Sequence, residues 1–180
     1  MCIRDSPYHD GESEPFVGRV LKKYKREDFY LATKLPIFKI DSLEQAKEIF
    51  EEQMKRLDVD YVDFYLLHAL NKDTWKKVID LNIIPYCEEL KKQGRIKNFG
   101  FSFHDDYEVF EEIINYRDWD FCQIQLNYID TDIQAGMKGY KLTEEKNVPL
   151  VIMEPIKGGA LASLSDDIEQ VFTAVSYTHL

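Results

Sequence analysis

Short apolar segments alternate with amphipathic helical patterns along the chain, and this alternation is the feature that most constrains the fold. The apolar segments have the length and the β-branched or aromatic content of buried strands. They recur about every 30 residues, as the strands of βαβ units do. A helix between each pair of strands implies right-handed βαβ units and a parallel sheet. The five predicted strands are residues 28–34, 61–68, 96–102, 121–127 and 148–154.

The segments between the strands show the periodicity of helices with one apolar face. Apolar residues recur on one helical face from Leu43 to Leu57. Ser42 and Gln45, just before this pattern, have the spacing of a capping box, which favours a helix that begins there. Similar patterns predict helices at 13–24, 83–94 and 105–114.

Two parallel architectures fit these elements, an open doubly wound sheet and a (β/α)8 barrel. An open nucleotide-binding sheet most often carries a glycine-rich phosphate turn after an early strand, and neither G-x-G-x-x-G nor G-x-x-x-x-G-K-[ST] occurs here. Each predicted strand instead ends in a polar residue, and in a barrel those ends form the rim that carries the chemistry. These considerations favour a partial barrel of about five strand–helix units. The five polar residues are Lys34, His68, Ser102, Asn127 and Glu154.

Composition and charge limit the classes of binding partner and the cellular compartment that we expect for this protein. The 180 residues carry a formal charge of -10, with acidic and basic residues mixed along the chain, which argues against nucleic acid or an anionic membrane surface as the main partner. No apolar run reaches the about 18 residues of a membrane helix, and no signal peptide is evident, so we expect a cytoplasmic protein. Cys2, Cys87 and Cys122 show no metal-site spacing, and no metal or disulfide is predicted.

Six segments of the chain together resemble the aldo/keto reductases, which are (β/α)8 barrel enzymes that use a nicotinamide cofactor. They are "YHDGESEPFVGRVLKKY", "FYLATKL", "DYVDFYLLH", "GRIKNFGFSFH", "FCQIQLNYID" and "VIMEPIKGG", in the family's order and at nearly its spacing. The resemblance implies that the predicted strands are the third to seventh of the barrel. It also implies an oxidoreductase that transfers hydride to an aldehyde or ketone, with a small carbonyl compound as its partner.

The resemblance assigns catalytic roles to four residues. The family's tyrosine, the proton donor, matches Tyr8, its lysine matches Lys34 and its histidine matches His68. Asp63 matches the acid that pairs with the lysine. The family's catalytic aspartate falls at Ile3, so that position departs from the pattern. Strict alternation along the strand places Asp63 and His68 on opposite faces, so both can serve one site only if the strand twists, bulges or ends early.

Cofactor contacts carry over less completely. Ser102 and Gln123 match the residues that bind the nicotinamide carboxamide, whereas Phe103 stands where an asparagine is usual. Met153 takes the place of a tyrosine that stacks on the nicotinamide, and Glu154 that of a serine near the pyrophosphate.

In the loop "KGGA", Gly158 and Gly159 would let backbone amides approach a diphosphate closely. The resemblance implies NADPH, with NADH as the alternative. The branch that the chain resembles often carries an iron–sulfur segment, which could follow only in a further C-terminal segment.

A complete barrel needs about 250 residues, so we expect residues 7–172 to be part of a barrel domain. Residues 1–6 and 175–180 match nothing in the family and are interpreted as non-native ends. Two other functions stay open: a regulatory barrel subunit that binds cofactor but turns over little, and a truncated chain that is itself inactive.

Overall fold

The computed structural model describes residues 2–3 and 12–162. Their strands form one parallel sheet of six strands in chain order, without a reversal. This is the arrangement of a section of a (β/α)8 barrel, and it confirms the predicted fold class over the doubly wound alternative, whose strand order reverses at a switch point. The strands are β1 (Cys2–Ile3), β2 (Leu31–Leu35), β3 (Val62–Leu70), β4 (Ile96–Phe103), β5 (Phe121–Gln125) and β6 (Leu150–Met153).

Five of these strands were predicted, and β1 was not. Its two residues pair in parallel with Leu31 and Ala32 of β2. Strand ends differ from the predictions as well. His68 lies inside β3, which continues to Leu70, whereas Asn127 and Glu154 lie beyond the last residues of β5 and β6.

Six α-helices connect the strands. They are α1 (Ser13–Leu21), α2 (Leu43–Leu57), α3 (Lys72–Asp80), α4 (Ile83–Lys92), α5 (Tyr107–Tyr116) and α6 (Gly136–Glu145). Helices α3 and α6 were missed, and α3 begins at a capping box of Asn71 and Thr74. No helix among the described residues is long and apolar enough to cross a membrane.

The start of α2 shows how the sequence specifies a helix end. The N–H of Gln45 donates to Ser42 Oγ at 3.2 Å, which confirms Ser42 as the N-cap. The side chain of Gln45 accepts from the N–H of Asp41 at 2.6 Å, one residue before the group that a standard capping box would use. Both bonds satisfy amide groups at this end of the helix that have no partner within it.

Alternation along the strands separates two faces of the sheet. One row of side chains across the sheet belongs to the core against the helices, and every residue that it takes from β2 to β5 is fully buried. The residue before each of these in β2 to β5 lies on the opposite face, which corresponds to the barrel interior. The core row is Leu35, Leu67, Phe101, Cys122 and Leu150, and the matching interior row is Lys34, Leu66, Gly100 and Phe121.

Gly100 is required by the close approach of its neighbour in the interior row. A Cβ at this position would lie 2.4 Å from the carbonyl oxygen of Phe121 and 2.7 Å from its ring. The phenylalanine therefore occupies the space that any other residue at position 100 would need. The Phe121 ring also packs edge-to-face on Phe64, with centroids 5.2 Å apart, so it cannot easily move away.

We predict that Gly100→Ala destabilises the fold by about 2 kcal/mol, since an extra methyl group here forces backbone or ring displacement. Urea denaturation of the variant measures this loss. Lys92→Ala, which shortens an exposed side chain of α4, is the control and should unfold at nearly the same urea concentration as the unsubstituted protein. Equal midpoints for the Gly100 variant and the unsubstituted protein would contradict the proposed close packing.

Candidate active site

Four of the predicted site residues lie on the interior face, towards the carboxyl ends of β2 to β5. Lys34 is level with Leu66 of β3, so His68 stands two residues further along that strand. Ser102 is level with Gln123 of β5, and Gln123 with Val151 of β6. All four side chains are buried, with His68 the most exposed at 7%. Neighbouring strands thus bring a cation, an imidazole, a hydroxyl and an amide to one surface.

A buried polar network lies behind Lys34, on the helix side of the sheet. Thr33 Oγ1 donates to Glu14 Oε1 of α1 at 2.7 Å. Gln53 of α2 donates to the carbonyl oxygen of Lys34 at 2.8 Å and accepts from the hydroxyl of Tyr65 at 3.0 Å. Burial raises the pKa of Tyr65 well above its usual value, so this hydroxyl stays a donor. The network connects the strand that carries Lys34 to α1, α2 and β3.

A β-bulge adjusts the end of β3 next to His68. The pairing of β3 with β4 shifts between Leu67 and Leu70, and Ala69 has a positive φ of 54°. The N–H of Ala69 donates to Ser102 Oγ at 2.8 Å. This bond ties the bulge to β4, and bulges of this kind often re-aim a side chain near an active site.

Ser102 and Gln123 keep hydrogen-bonding capacity that the described residues do not use. Ser102 Oγ accepts from Ala69, and its own proton remains available for donation. Gln123 is 3% exposed, and its Oε1 has no hydrogen-bond partner within residues 12–162. A buried acceptor without a partner is costly. A ligand that brings an N–H donor to this place would satisfy it.

Two residues that depart from the family pattern, Phe103 and Met153, lie on different faces of the sheet. Phe103 faces the helices, is fully buried and packs on Phe110 with ring centroids 5.2 Å apart. It therefore adds to the core and takes no part in the interior face. Met153 is half-buried and level with Gln125 at the end of β6, next to the interior positions of β5.

The loops after β5 and β6 are tied together by an ion pair that the sequence analysis missed. Asp130 accepts from Lys157 Nζ at 2.9 Å and from Asn127 Nδ2 at 3.0 Å. The hydroxyl of Tyr128 also donates to the carbonyl oxygen of Leu161 at 3.2 Å. These contacts join segments 27 and 33 residues apart in the chain. The only sequence sign of them was the polar residue Asn127 just past an apolar strand.

Gly158 and Gly159 lie in the loop that this ion pair holds. Both have positive φ angles, of 64° and 100°, which other residues rarely adopt. No described atom lies within 4 Å of the place where a Cβ would stand at either glycine. The backbone here is therefore open to close approach by a ligand.

We predict that acidification breaks the tie between the two loops. Hydrogen bonds from Asn127 and Lys157 lower the pKa of Asp130 below its ordinary value of about 3.9. Because the folded-state pKa is lowered, the stabilisation is complete above the pKa of the unfolded chain and is lost as pH falls through the folded-state pKa. Titration of the Asp130 carboxyl carbon by NMR should give a midpoint below about 3.9. In Lys157→Met the midpoint should rise, and an unchanged midpoint would contradict the pairing.

The structure does not place Asp63 beside Lys34, which corrects the predicted pairing. Lys34 is level with Leu66, so Asp63 lies three residues, or about 10 Å, nearer the amino end of the strand. It also faces the helices, as strict alternation requires. Asp63 Oδ2 accepts from Arg26 Nη2 at 2.6 Å and from the N–H of Leu31 at 2.8 Å.

Arg26 makes further contacts besides its ion pair with Asp63. Its guanidinium donates to the carbonyl oxygens of Phe29 and Tyr61 at 3.0 and 3.1 Å. It also stacks on the ring of Tyr61, 3.9 Å from the centroid. Asp63 and Arg26 thus join the starts of β2 and β3, a structural role at the end of the sheet opposite to the candidate site.

We predict that Asp63→Ala lowers the free energy of unfolding by about 3 kcal/mol. The substitution removes the hydrogen-bond acceptor of the mostly buried Arg26 guanidinium and of the Leu31 N–H. Chemical denaturation measures this loss. Lys22→Ala breaks an exposed ion pair with Asp58 and should change stability by less than about 1 kcal/mol. Unchanged stability of the Asp63 variant would contradict this structural role.

The remaining residues singled out in the sequence are Tyr8 and the cysteines. Tyr8 lies outside the described residues, so its catalytic role stays a prediction. Cys87 and Cys122 are free and fully buried, and burial raises the pKa of the Cys122 thiol to about 12. Within residues 12–162 no group of histidine, cysteine, aspartate or glutamate side chains is arranged to hold a metal ion.

Comparisons with known proteins identify the family of this chain. A family model described as "Aldo/keto reductase family" matches residues 6–177. The NADH-specific methylglyoxal reductase of Escherichia coli is 24% identical over 176 residues, which cover 86% of this chain and 51% of that protein. The chain thus spans about half the length of that curated relative.

Solved structures show the same fold. A thermostable aldo-keto reductase in complex with the inhibitor epalrestat superposes with a TM-score of 0.74 at 24% identity, covering 97% of this chain and 61% of that one. An aldo-keto reductase from Klebsiella pneumoniae in complex with NADPH gives a TM-score of 0.65 at 22% identity, over 94% of this chain and 59% of that one.

Proposed function

The chain belongs to the aldo/keto reductase family, and on that premise we propose that the protein reduces an aldehyde or ketone with a nicotinamide cofactor, NADPH or NADH. The observation that carries the proposal is the interior face on which Lys34, His68, Ser102 and Gln123 lie together at the carboxyl ends of adjacent strands. Barrel enzymes place their chemistry at this end.

The interior face fits the carboxamide of a nicotinamide. A carboxamide offers one acceptor and two donors. The hydroxyl of Ser102 can donate to its oxygen. The Oε1 of Gln123, which has no hydrogen-bond partner among the described residues, can accept from its nitrogen. Satisfying that buried acceptor supports binding and fixes the orientation of the ring. When bound, the cofactor supplies the hydride.

The chain's own residues supply the proton and the electrostatics. Negative charge grows on the carbonyl oxygen as it is reduced, so a proton donor must stand beside it. Tyr8 is that donor in our proposal. A tyrosine, with an ordinary pKa of about 10, is a weak acid, and a neighbouring ammonium group favours its phenolate. Lys34 would provide this charge.

His68 would orient the substrate by a hydrogen bond to the carbonyl oxygen. Its place on the interior face of β3, beside the bulge at Ala69, directs it to the same region as Ser102. Because the imidazole is buried, a hydrogen bond from it would be stronger than the same bond in water. The proposed reaction adds hydride to the carbonyl carbon and a proton from Tyr8 to the oxygen, which yields an alcohol.

We predict that the full-length protein oxidises NADPH when supplied with methylglyoxal, other aldehydes or quinones. Tyr8→Phe and Lys34→Met should each lower kcat by at least about 100-fold, since each removes part of the proton transfer. Binding of NADPH, measured by calorimetry, should be retained in both variants. Lys92→Met, an exposed lysine of α4, is the matched control and should keep full turnover.

Two results would count against this proposal. Full activity of the Lys34→Met variant would remove the lysine from the mechanism. Tight NADPH binding without turnover of any carbonyl compound would instead favour the alternative of a regulatory barrel subunit, which keeps the cofactor site without the chemistry.

A further inference from the structure

Phe38 is an exposed aromatic side chain between two buried anchors. It lies in the 3-10 turn Ile37–Lys39 that follows β2. Ile37 and Ile40 are fully buried, whereas Phe38 is 49% exposed. The two isoleucines hold the turn to the core and leave the phenylalanine ring outside it.

Hydrogen bonds hold this turn in place. The N–H of Lys39 donates to the carbonyl oxygen of Pro36 at 2.9 Å. Lys77 of α3 donates from Nζ to the carbonyl oxygen of Ile40 at 2.8 Å. The same ammonium pairs with Asp41 at 3.0 Å. The turn is therefore fixed from both ends, and it presents the Phe38 ring without needing to order a loop on binding.

The Phe38 ring contacts His68 of the candidate site. Their ring centroids are 5.6 Å apart with an interplanar angle of 59°. His68 is buried, so an exposed apolar ring stands directly beside the imidazole proposed to hold the substrate oxygen. Single exposed aromatic residues are common on protein surfaces and usually have no function. Its contact with His68 distinguishes Phe38 from Tyr24, which is 61% exposed near the other end of β2.

We propose that Phe38 determines substrate specificity, by packing its ring on the apolar substituent of a carbonyl compound whose oxygen is held by His68. This inference rests on the proposed reductase function. The ring would favour carbonyl compounds with an aromatic or long aliphatic group over small ones, because a larger group covers more of the exposed ring beside His68. Contacts between aromatic rings and burial of apolar surface both contribute to such a preference.

The test compares propanal with 3-phenylpropanal, which differ by one phenyl group. NADPH oxidation by the full-length protein gives kcat/KM for each aldehyde. Phe38→Ala should lower kcat/KM for 3-phenylpropanal about five-fold relative to propanal. Phe38→Leu, which keeps an apolar side chain, should recover part of the preference. Tyr24→Ala removes an exposed aromatic ring far from His68 and should leave the ratio unchanged.

The outcomes separate this inference from the proposed function. No oxidation of NADPH with either aldehyde in the unsubstituted protein is a failure of the reductase function itself. Turnover with the same ratio of kcat/KM in Phe38→Ala overturns the role of Phe38 alone. So does an equal loss for both aldehydes together with weaker NADPH binding, because that pattern places the ring against the cofactor. A thermal midpoint close to that of the unsubstituted protein shows that the variant is folded.

Discussion

The packing of one face of each strand against the helices is the interaction on which the rest of the structure depends. The fully buried core residues Leu35, Leu67, Phe101 and Cys122 stand level across four neighbouring strands. Since a shift of one residue would turn every side chain to the other face, this row sets the register of the sheet. The register in turn places the residues that precede or follow the core row, including Lys34 and Ser102, on the interior face.

Three polar side chains on the helix side of the sheet are stabilised by hydrogen bonds to one another and to a neighbouring carboxylate. Thr33, Gln53 and Tyr65 lie in the layer between sheet and helices, and their hydrogen bonds link them to each other and to Glu14. Unpaired, such groups would cost about 1–3 kcal/mol each. The network also reaches the backbone of Lys34 through Gln53, so the strand end that carries the candidate catalytic lysine is held from the opposite face.

The correction at Asp63 shows the limit of matching residues to roles by motif alone. Asp63 lies in the same strand as His68, yet it faces the helices and pairs with Arg26 near the start of the strand. Both facts follow from the period of two and from the register, and the alternation already visible in "DFYLLH" indicated the first of them. The second needed the pairing of β2 with β3, which no single segment contains.

By itself the sequence determined the class of fold, the family and five of the six strands, because hydrophobic periodicity and local motifs are carried by neighbouring residues. It also predicted a site that includes Lys34, His68, Ser102 and Gln123, and their catalytic and binding roles stay predictions. The helix start at Ser42 was predicted for the same reason. Strand β1 was missed because two residues show no periodicity. Only the tertiary structure decided the partner of Asp63, the tie between Asp130 and Lys157 and the contact of Phe38 with His68. These contacts join residues 27 to 37 positions apart in the chain. Their distances depend on strand register and loop packing, which no local pattern in the chain encodes.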